Sequence, residues 1–180
     1  MTRTRAELGA LHPFGLEALA RRAPGRIGRL EPDAALHIAQ RLRAWDRREV
    51  FALMPRHATA EHAAAIMLAP CLDEVRCAVL APDGEPVAAL GMASFWPGCW
   101  QAWLLATDRW HETWRLGVHA ARAVLADAEA RGMRRAECRS MAGHDDAHAL
   151  LRWLGFAPEG LHPGMGRDGE AFITFARVAA

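Results

Sequence analysis

The 180-residue chain contains no lysine, no asparagine and no tyrosine, whereas alanine, arginine and glycine are abundant. The three missing residues have A- and T-rich codons, so their joint absence indicates a very GC-rich genome. All 22 basic residues are therefore arginines, and an arginine here is weak evidence for bidentate anion recognition, because lysine was hardly available as the alternative. The absence of tyrosine excludes any mechanism that needs a phenol as general acid.

The chain also lacks long apolar runs and paired cysteines. No apolar stretch approaches the roughly 18 to 20 residues that span a bilayer, and the N-terminus has no signal-peptide core. The four cysteines form no CxxC pair, which argues against a zinc site, and the size of the chain argues against a disulfide scaffold. We expect a cytoplasmic protein with no membrane partner, whose cysteines are small buried thiols.

Charge is balanced except at the N-terminus. The net charge of +1 gives no general indication of nucleic-acid binding. The first thirty residues, however, contain six arginines and two glutamates, a net charge of +4. We assign residues 1–26 to a basic leader and residues 27–180 to one folded domain. The leader is either a partly ordered segment on a solvated surface, which we favour, or an arm that binds nucleic acid or an acidic partner.

Hydrophobic periodicity and turn residues predict alternating helices and strands. After a short strand, a first helix begins at Pro32 and a second at Thr59, whose hydroxyl can cap it. Two antiparallel strands flank the Pro-Asp-Gly turn at residues 82–84. The other predicted elements are a strand over residues 100–106, a helix over 113–131 with an apolar stripe at Trp114, Val118, Ala121, Leu125 and Ala128, a strand over 133–141, a helix from Asp145 or Asp146 to Leu154, and two closing strands.

The order of these elements resembles that of the GNAT family of N-acetyltransferases. The short helix of GNAT proteins often reads Asn-x-x-Ala-x-x-x-Tyr-x-x-x-Gly-Phe. The segment here, HDDAHALLRWLGF, has His144 in place of the asparagine and Leu151 in place of the tyrosine, and it keeps Ala147, Gly155 and Phe156. The resemblance covers roughly residues 27–178. It implies an α+β fold, a single GNAT-like (acyl-CoA N-acyltransferase) domain with a mixed, mostly antiparallel central sheet and helices on both faces.

The resemblance also indicates where a coenzyme would bind. GNAT enzymes hold the diphosphate of acetyl-coenzyme A in a Gln/Arg-x-x-Gly-x-Gly/Ala loop, where glycines let backbone N–H groups approach the oxygens and the helix N-terminus adds its dipole. The corresponding connection is TDRWHETWRLG. Counted from Arg109, the glycine positions hold Glu112 and Trp114, which repel and obstruct an anion. Leu151, in place of the general-acid tyrosine, has no proton to give.

Other residues could still serve acyl transfer. The candidate general bases are Glu137, Asp108 and, through a water molecule, His111; each is also explained as a surface or capping residue, and Asp108 can cap the following helix. A coenzyme, if one binds, would contact Leu105, Ala106, Thr107, Arg109, Trp110, Trp114 and His144. The HDDAH segment would hold a metal only if all of it were helical, and because an Asp is its expected N-cap we predict no metal site.

Four of the seven tryptophans crowd the segment WQAWLLATDRWHETW. We expect them either to fill the cleft that a coenzyme would use or to line it as an apolar contact surface, since burial of an indole contributes about 2 to 3 kcal/mol. Trp100 and Trp103 are most simply core residues, and at least one of Trp110 and Trp114 should face the cleft. The WDRRE cluster, residues 45–49, is either a solvated, ion-paired turn or a surface that recognises a partner or substrate.

A narrower resemblance concerns small GNAT-like proteins of tailed phages and prophages, some of them internal virion proteins, which lack the glycine loop. The similar stretches are RAWDRREVFAL, DGEPVAALG, WLLATD and LLRWLGF. This resemblance implies a virion-associated or assembly protein with a degenerate acetyl-CoA site, no cofactor, and phage virion or assembly proteins as partners, in the host cytoplasm or the virion. The alternative is an active acetyl-CoA-dependent N-acyltransferase. A third hypothesis is nucleic-acid binding through the N-terminal arginines.

Overall fold

The computed structural model describes residues 25–71 and 73–179. In this part of the chain a seven-stranded sheet is combined with five helices. The strands are β1 (Arg26–Gly28), β2 (Glu74–Leu80), β3 (Pro86–Trp96), β4 (Cys99–Ala106), β5 (Arg135–Met141), β6 (Ala157–His162) and β7 (Phe172–Val178). The helices are α1 (Pro32–Gln40), α2 (Ala44–Ala52), α3 (Ala60–Leu68), α4 (Trp110–Ala130) and α5 (Asp145–Trp153).

The strand order is β1-β2-β3-β4-β5-β7-β6, and the neighbours are antiparallel except for β4 and β5. Helix α4 forms the crossover that this parallel pair requires. The pairing begins at Cys99 with Arg135 and ends at Gln101 with Glu137, although both strands continue. Beyond that rung β4 and β5 separate, and a gap opens between their carboxyl ends.

Helices cover both faces of the sheet. Strand residues alternate between the faces, so that Val75 and Cys77 pack against α4, whereas Ala78 faces α1 and α3. The α4 side contains the larger core, with Trp100 and Phe175 fully buried. The mixed sheet with helices on both faces confirms the predicted α+β fold. The β2–β3 hairpin is also confirmed, with Gly84 in its turn at a φ of 90°.

The predicted start of α4 is wrong. The helix begins at Trp110 with Arg109 as its N-cap, and no side chain caps it, so Asp108 does not have the capping role we expected. Trp114 does not belong to the buried stripe and is 48% exposed. Thr113 and Leu116 are buried instead.

Two further predictions are corrected. The N-cap of α5 is His144 rather than an Asp, because the helix already includes Asp145. The WDRRE cluster is not a turn but the first part of α2, and Asp46 within it is buried. The leader lies outside the described residues up to residue 24 and stays a prediction. Strand β1 begins at Arg26, the last residue that we assigned to the leader.

Candidate functional site

The separated end of β4 is held by a carboxylate of α2. Asp46 accepts the backbone N–H of Ala106 with Oδ2 at 2.7 Å and the Nε–H of Arg43 with Oδ1 at 2.8 Å. The backbone N–H of Arg43 donates to the carbonyl of Ala106 at 2.9 Å. Both polar groups of Ala106 are therefore occupied by α2 and its N-cap. Asp46 is 2% exposed, and this burial raises its pKa, against the opposing charge of Arg43.

The separated end of β5 is held by a second carboxylate of α2. Glu49 accepts the backbone N–H of Met141 at 2.6 Å and the hydroxyl of Ser140 at 2.7 Å, both with Oε1. Nδ1 of His144 lies 2.9 Å from the same oxygen. Because Asp46 and Glu49 are three residues apart, they lie on one face of α2 and reach the two strands. Helix α2 thus bridges the gap between β4 and β5.

His144 lies at the end of this bridge. It is 3% exposed, and its ring stacks on the indole of Trp45 with a centroid distance of 5.0 Å. On α2 itself, the guanidinium of Arg48 lies 5.3 Å from the centroid of the same indole. The sequence predicted His144 as a coenzyme contact. In the structure its ring has two structural partners, Glu49 and Trp45.

The N-terminus of α4 carries a closed ion-pair cluster. Arg109 donates to both carboxylate oxygens of Glu112, with Nε at 2.7 Å and Nη2 at 2.8 Å. Its Nη1 donates to Asp83 at 2.8 Å and to Glu85 at 2.6 Å. One guanidinium and three carboxylates give this cluster a net charge of −2. His37 adds a contact to Glu85, with Nε2 at 3.1 Å.

The bonds of the cluster lower the pKa of its acids. In Glu85 and Glu112 the main cause is the hydrogen bond from Arg109. In Asp83 the backbone N–H of Glu85 lowers the pKa first, and Arg109 adds to it. All three acids are therefore held in the ionised form. The arginine that a GNAT diphosphate loop would offer to phosphate oxygens already donates four of its five N–H groups to carboxylates.

Trp110 occupies the space beside the gap. Its indole lies directly on Gly117, where an added Cβ would come within 2.3 Å of the ring. The guanidinium of Arg43 lies 5.9 Å from the centroid of the ring, on the side of α2. The same side chain packs against the larger core. Of the two tryptophans at the start of α4, Trp110 is thus the one that points inward, and Trp114 points outward.

The three candidate bases do not form one group. Glu137 lies on the last paired rung of β4 and β5, where its carboxylate accepts Nε–H of Arg135 at 2.7 Å. Asp108 and His111 are exposed at the start of α4, and Nδ1 of His111 lies 2.9 Å from the Asp108 carbonyl oxygen. Gln101, the strand partner of Glu137, is seven residues from Asp108. Glu137 is therefore separated from Asp108 and His111 by roughly 20 Å along the direction of β4.

The remaining predicted contacts are divided between the two faces. Leu105 packs against the α1 and α3 core, away from the gap. Thr107 is buried and its N–H donates to the carbonyl of Val87 at 2.8 Å. Among the described residues, its hydroxyl and that of Thr113 have no hydrogen-bond partner. Leu151 packs against the larger core, so the position of the expected general acid holds an aliphatic side chain.

No metal site emerges from the HDDAH segment. Within residues 25–71 and 73–179, no three His, Cys, Asp or Glu side chains are grouped so that they could hold a metal ion. His148 points into the core beside Phe175, with ring centroids 4.9 Å apart, and burial lowers its pKa. In the same part of the chain, no helix has the length and apolar character needed to cross a membrane.

Sequence reasoning missed the bridging role of Asp46 and Glu49. The signal was present in the spacing, since residues 46 and 49 share one face of any helix that contains them, and Arg47 and Arg48 point elsewhere. It was overlooked because acids are rarely buried unless they are paired. The sequence predicted Asp46 and Glu49 only as members of a solvated, ion-paired turn or of a surface that recognises a partner or substrate.

The sheet order, the parting of β4 and β5 and the helices beside the gap define an acyl-CoA N-acyltransferase fold. The model of the acetyltransferase (GNAT) family matches residues 38–156, about two thirds of the chain. The chain therefore belongs to the GNAT family. A comparison with curated proteins finds no match.

Solved structures share the fold at low sequence identity. A GNAT protein from Kribbella flavida is 16% identical with a TM-score of 0.64, over 86% of this chain and 97% of that one. The ribosomal-protein-S18-alanine N-acetyltransferase from Escherichia coli is 21% identical with a TM-score of 0.58, over 86% and 93%. The yncA protein from Salmonella typhimurium, solved with acetyl-CoA, is 11% identical with a TM-score of 0.64, over 84% and 92%. These likenesses show the fold.

Proposed function

We propose that this GNAT-family protein does not use acetyl-CoA efficiently and acts through protein contacts, as a virion-associated or assembly protein of a phage or prophage. The observation that carries the first part is the engagement of Arg109 by three carboxylates, those of Glu112, Asp83 and Glu85. A diphosphate at the N-terminus of α4 would meet a cluster of net charge −2 and would have to displace Glu112. The residues present do not fit that group.

The acyl end of the gap supports the same proposal. The backbone N–H of Ala106, at the end of β4, is bonded to Asp46 and is not available to polarise a carbonyl oxygen. The indole of Trp110 takes up space beside it, and Leu151 has no proton to donate to a leaving thiolate. Acyl transfer would need a free N–H at Ala106, open space beside it and a proton donor at residue 151. These three positions hold a bonded N–H, the indole of Trp110 and an aliphatic side chain.

The proposed virion or assembly role rests on sequence similarity. The stretches WLLATD, at the end of β4, and LLRWLGF, at the end of α5, resemble stretches of small GNAT-like phage proteins. We propose phage virion or assembly proteins as the partners, and the host cytoplasm and the virion as the locations. Mass spectrometry of purified particles and assembly intermediates tests this role. Absence of the chain from both would contradict it.

Calorimetry with coenzyme A tests the first part. We expect no binding at micromolar concentrations to the full chain, whereas micromolar affinity would overturn the proposal. The variant Glu112→Gln is the informative comparison. It removes one negative charge and releases one edge of Arg109, so any weak binding should become tighter in it. Equal affinity in both proteins would show that Glu112 is not what opposes the diphosphate.

An active acetyl-CoA-dependent N-acyltransferase is the second candidate, and one observation favours it. Leu104 alternates in phase with Ala106, so its N–H and C=O groups point into the gap, where no described strand pairs with β4 beyond Gln101. An extended ligand could pair with them. For this candidate we propose the coenzyme contacts that were expected from the sequence, which are Leu105, Ala106, Thr107, Arg109, Trp110, Trp114 and His144. Millimolar acetyl-CoA should then raise the melting temperature, and no shift would remove this candidate.

A further inference from the structure

An open groove of about 670 Å³ lies on the surface formed by α2, the start of α3 and the β6–β7 connection. Its lining is rich in guanidinium groups, contributed by Arg47, Arg48, Arg56 and Arg167. The acidic residue of the lining is Glu170, whose Oε2 already accepts the backbone N–H of Asp168 at 3.0 Å.

Two of these arginines are stacked on aromatic rings. The guanidinium of Arg47 lies 5.3 Å from the ring centroid of Phe51, and that of Arg48 lies 5.3 Å from that of Trp45. In the described part of the chain neither pairs with a carboxylate. A stacked guanidinium keeps its N–H edge free, and this edge matches a carboxylate bidentately. The groove therefore offers two preorganised anion-binding groups.

The other two arginines share a single acid. Arg56 and Arg167 both pair with Asp168 in the β6–β7 connection. With Asp168 and Glu170 as the acids, four arginines leave a net charge of +2 at the groove. An anionic ligand is therefore favoured, and one that carries at least two negative charges would neutralise it.

We propose that this groove binds an acidic peptide segment of a partner, with carboxylates on Arg47 and Arg48. Single-stranded nucleic acid needs free aromatic faces for its bases. Here the guanidinium of Arg47 lies over the ring of Phe51, which packs into the core, and the indole of Trp45 contacts both Arg48 and His144. The groove is open along α2, which suits a segment of a longer chain better than an enclosed small molecule. That the partner is a protein, and hence that its anionic groups are carboxylates, rests on the proposed function; the attraction of the groove for an anion does not.

Fluorescence anisotropy with the full chain tests the proposal. The probes are a labelled hexaglutamate peptide, its hexaglutamine counterpart and a labelled twelve-base oligothymidine, at about 0.15 M salt. We expect the glutamate peptide to bind, and the other two to bind at least about tenfold more weakly. Excess citrate as competitor distinguishes a peptide site from one for free polycarboxylates. Displacement by citrate at concentrations below the peptide Kd would overturn the assignment to a peptide.

The double variant R47Q/R48Q should weaken binding of the glutamate peptide by at least about tenfold, a loss of two charge-assisted contacts. The matched control is R115Q/R122Q. Arg115 and Arg122 are also helical and stack on Trp114 and Trp153, but they lie outside the groove. The control should bind within about twofold of the parent. Equal losses in both variants, no binding by the parent, or tighter binding of the oligonucleotide would overturn the proposal. None of these outcomes depends on coenzyme A, so the result is separate from the calorimetric test.

Discussion

A buried carboxylate at residue 46 is stable because each of its oxygens accepts a hydrogen bond. Oδ1 receives Arg43 and Oδ2 receives the backbone N–H of Ala106. The raised pKa shows that desolvation still exceeds these compensating contacts. Removal of one partner of the Arg43–Asp46 pair should therefore lower the free energy of unfolding strongly, whereas replacement of both by apolar residues should lower it much less.

We expect Asp46→Ala to lower the free energy of unfolding by about 3 to 5 kcal/mol, because it leaves Arg43 and the N–H of Ala106 without an acceptor. Urea denaturation followed by circular dichroism measures the loss. Asp33→Ala is the control, since Asp33 is an exposed acid in the first turn of α1 and should cost about 1 kcal/mol or less. A loss below about 1 kcal/mol for Asp46→Ala would show that the bridge to β4 is not structural.

Gly117 gives a second test at this scale. Because an added Cβ would meet the ring of Trp110 at 2.3 Å, Gly117→Ala should destabilise the protein by about 1 to 3 kcal/mol. In a Trp110→Ala background the clash is gone, and the same change should be neutral or stabilise by up to about 1 kcal/mol, as alanine favours a helix. A double-mutant cycle measures the coupling. An equal cost in both backgrounds would mean that the indole does not lie on Gly117.

At the scale of elements, the Arg109 cluster joins three parts of the chain. Glu112 belongs to α4, Asp83 and Glu85 belong to the β2–β3 turn, and His37 connects the cluster to α1. Exposed single ion pairs contribute little, but a shared arginine orders several chain segments at once. The cluster also makes the position of α4 dependent on the charge state of its acids.

The cluster predicts a component of acid sensitivity. The folded-state pKa values of Glu85, Glu112 and Asp83 lie below their ordinary values of 4.5, 4.5 and 3.8. The unfolded chain therefore binds more protons in acid, so the contribution to stability is full above about pH 5 and is lost as the pH falls through and below 4. Arg109→Gln should be less stable than the parent at pH 7, and the difference should shrink towards pH 3.

Chemical denaturation at several pH values measures this difference. Arg122→Gln is the control, because Arg122 stacks on Trp153 with its guanidinium carbon 3.7 Å from the ring centroid and does not belong to the cluster. Its curve should run parallel to that of the parent. Asp46 acts with the opposite sign, since its pKa is raised, but it is common to all three proteins. A difference between Arg109→Gln and the parent that stays constant from pH 7 to pH 3 would rule out the linkage.

Elements with local signals could be predicted from the sequence. The β2–β3 hairpin alternates with period two around a Pro-Asp-Gly turn, and the short helix keeps its GNAT register. Helix α2 could not be recognised in this way, because its inward positions include the acids Asp46 and Glu49, which weakens the apolar periodicity. The start of α4 could not be located either. It has no side-chain cap, and Arg109 is bonded to residues more than twenty positions away.

The same distinction explains what was predicted of the site. The absence of the glycines and of tyrosine is written in the sequence. The contacts of Arg109 with Asp83 and Glu85, and that of Ala106 with Asp46, are long-range and no spacing rule supplies them. That Glu112 opposes an anion stays a prediction, to which the structure adds one observation: the carboxylate binds the arginine that a phosphate would need.

In the molecule as a whole, α2 provides hydrogen-bond acceptors for the parted strands of the sheet, a role that a neighbouring strand or a ligand would otherwise have. The parting of β4 and β5 leaves unpaired peptide groups inside a protein, which is costly unless partners are found. Asp46 and Glu49 supply acceptors for one N–H group of each strand. The chain itself thereby supplies hydrogen-bond partners at the parted ends of β4 and β5.

The folded domain begins with β1 and Leu30, and both should contribute to its stability. Strand β1 pairs with β2, and Leu30, 4% exposed, packs among α1 and α3. Deletion of residues 1–30 removes both, so it should lower the free energy of unfolding by at least about 2 kcal/mol relative to deletion of residues 1–24, an amount close to the burial of one leucine. Urea denaturation of the two truncated proteins measures this. The shorter deletion is also the clean test of the basic leader, because loss of salt-dependent nucleic-acid binding in it cannot be blamed on a damaged sheet. Equal stability of the two proteins would place the domain boundary after residue 30.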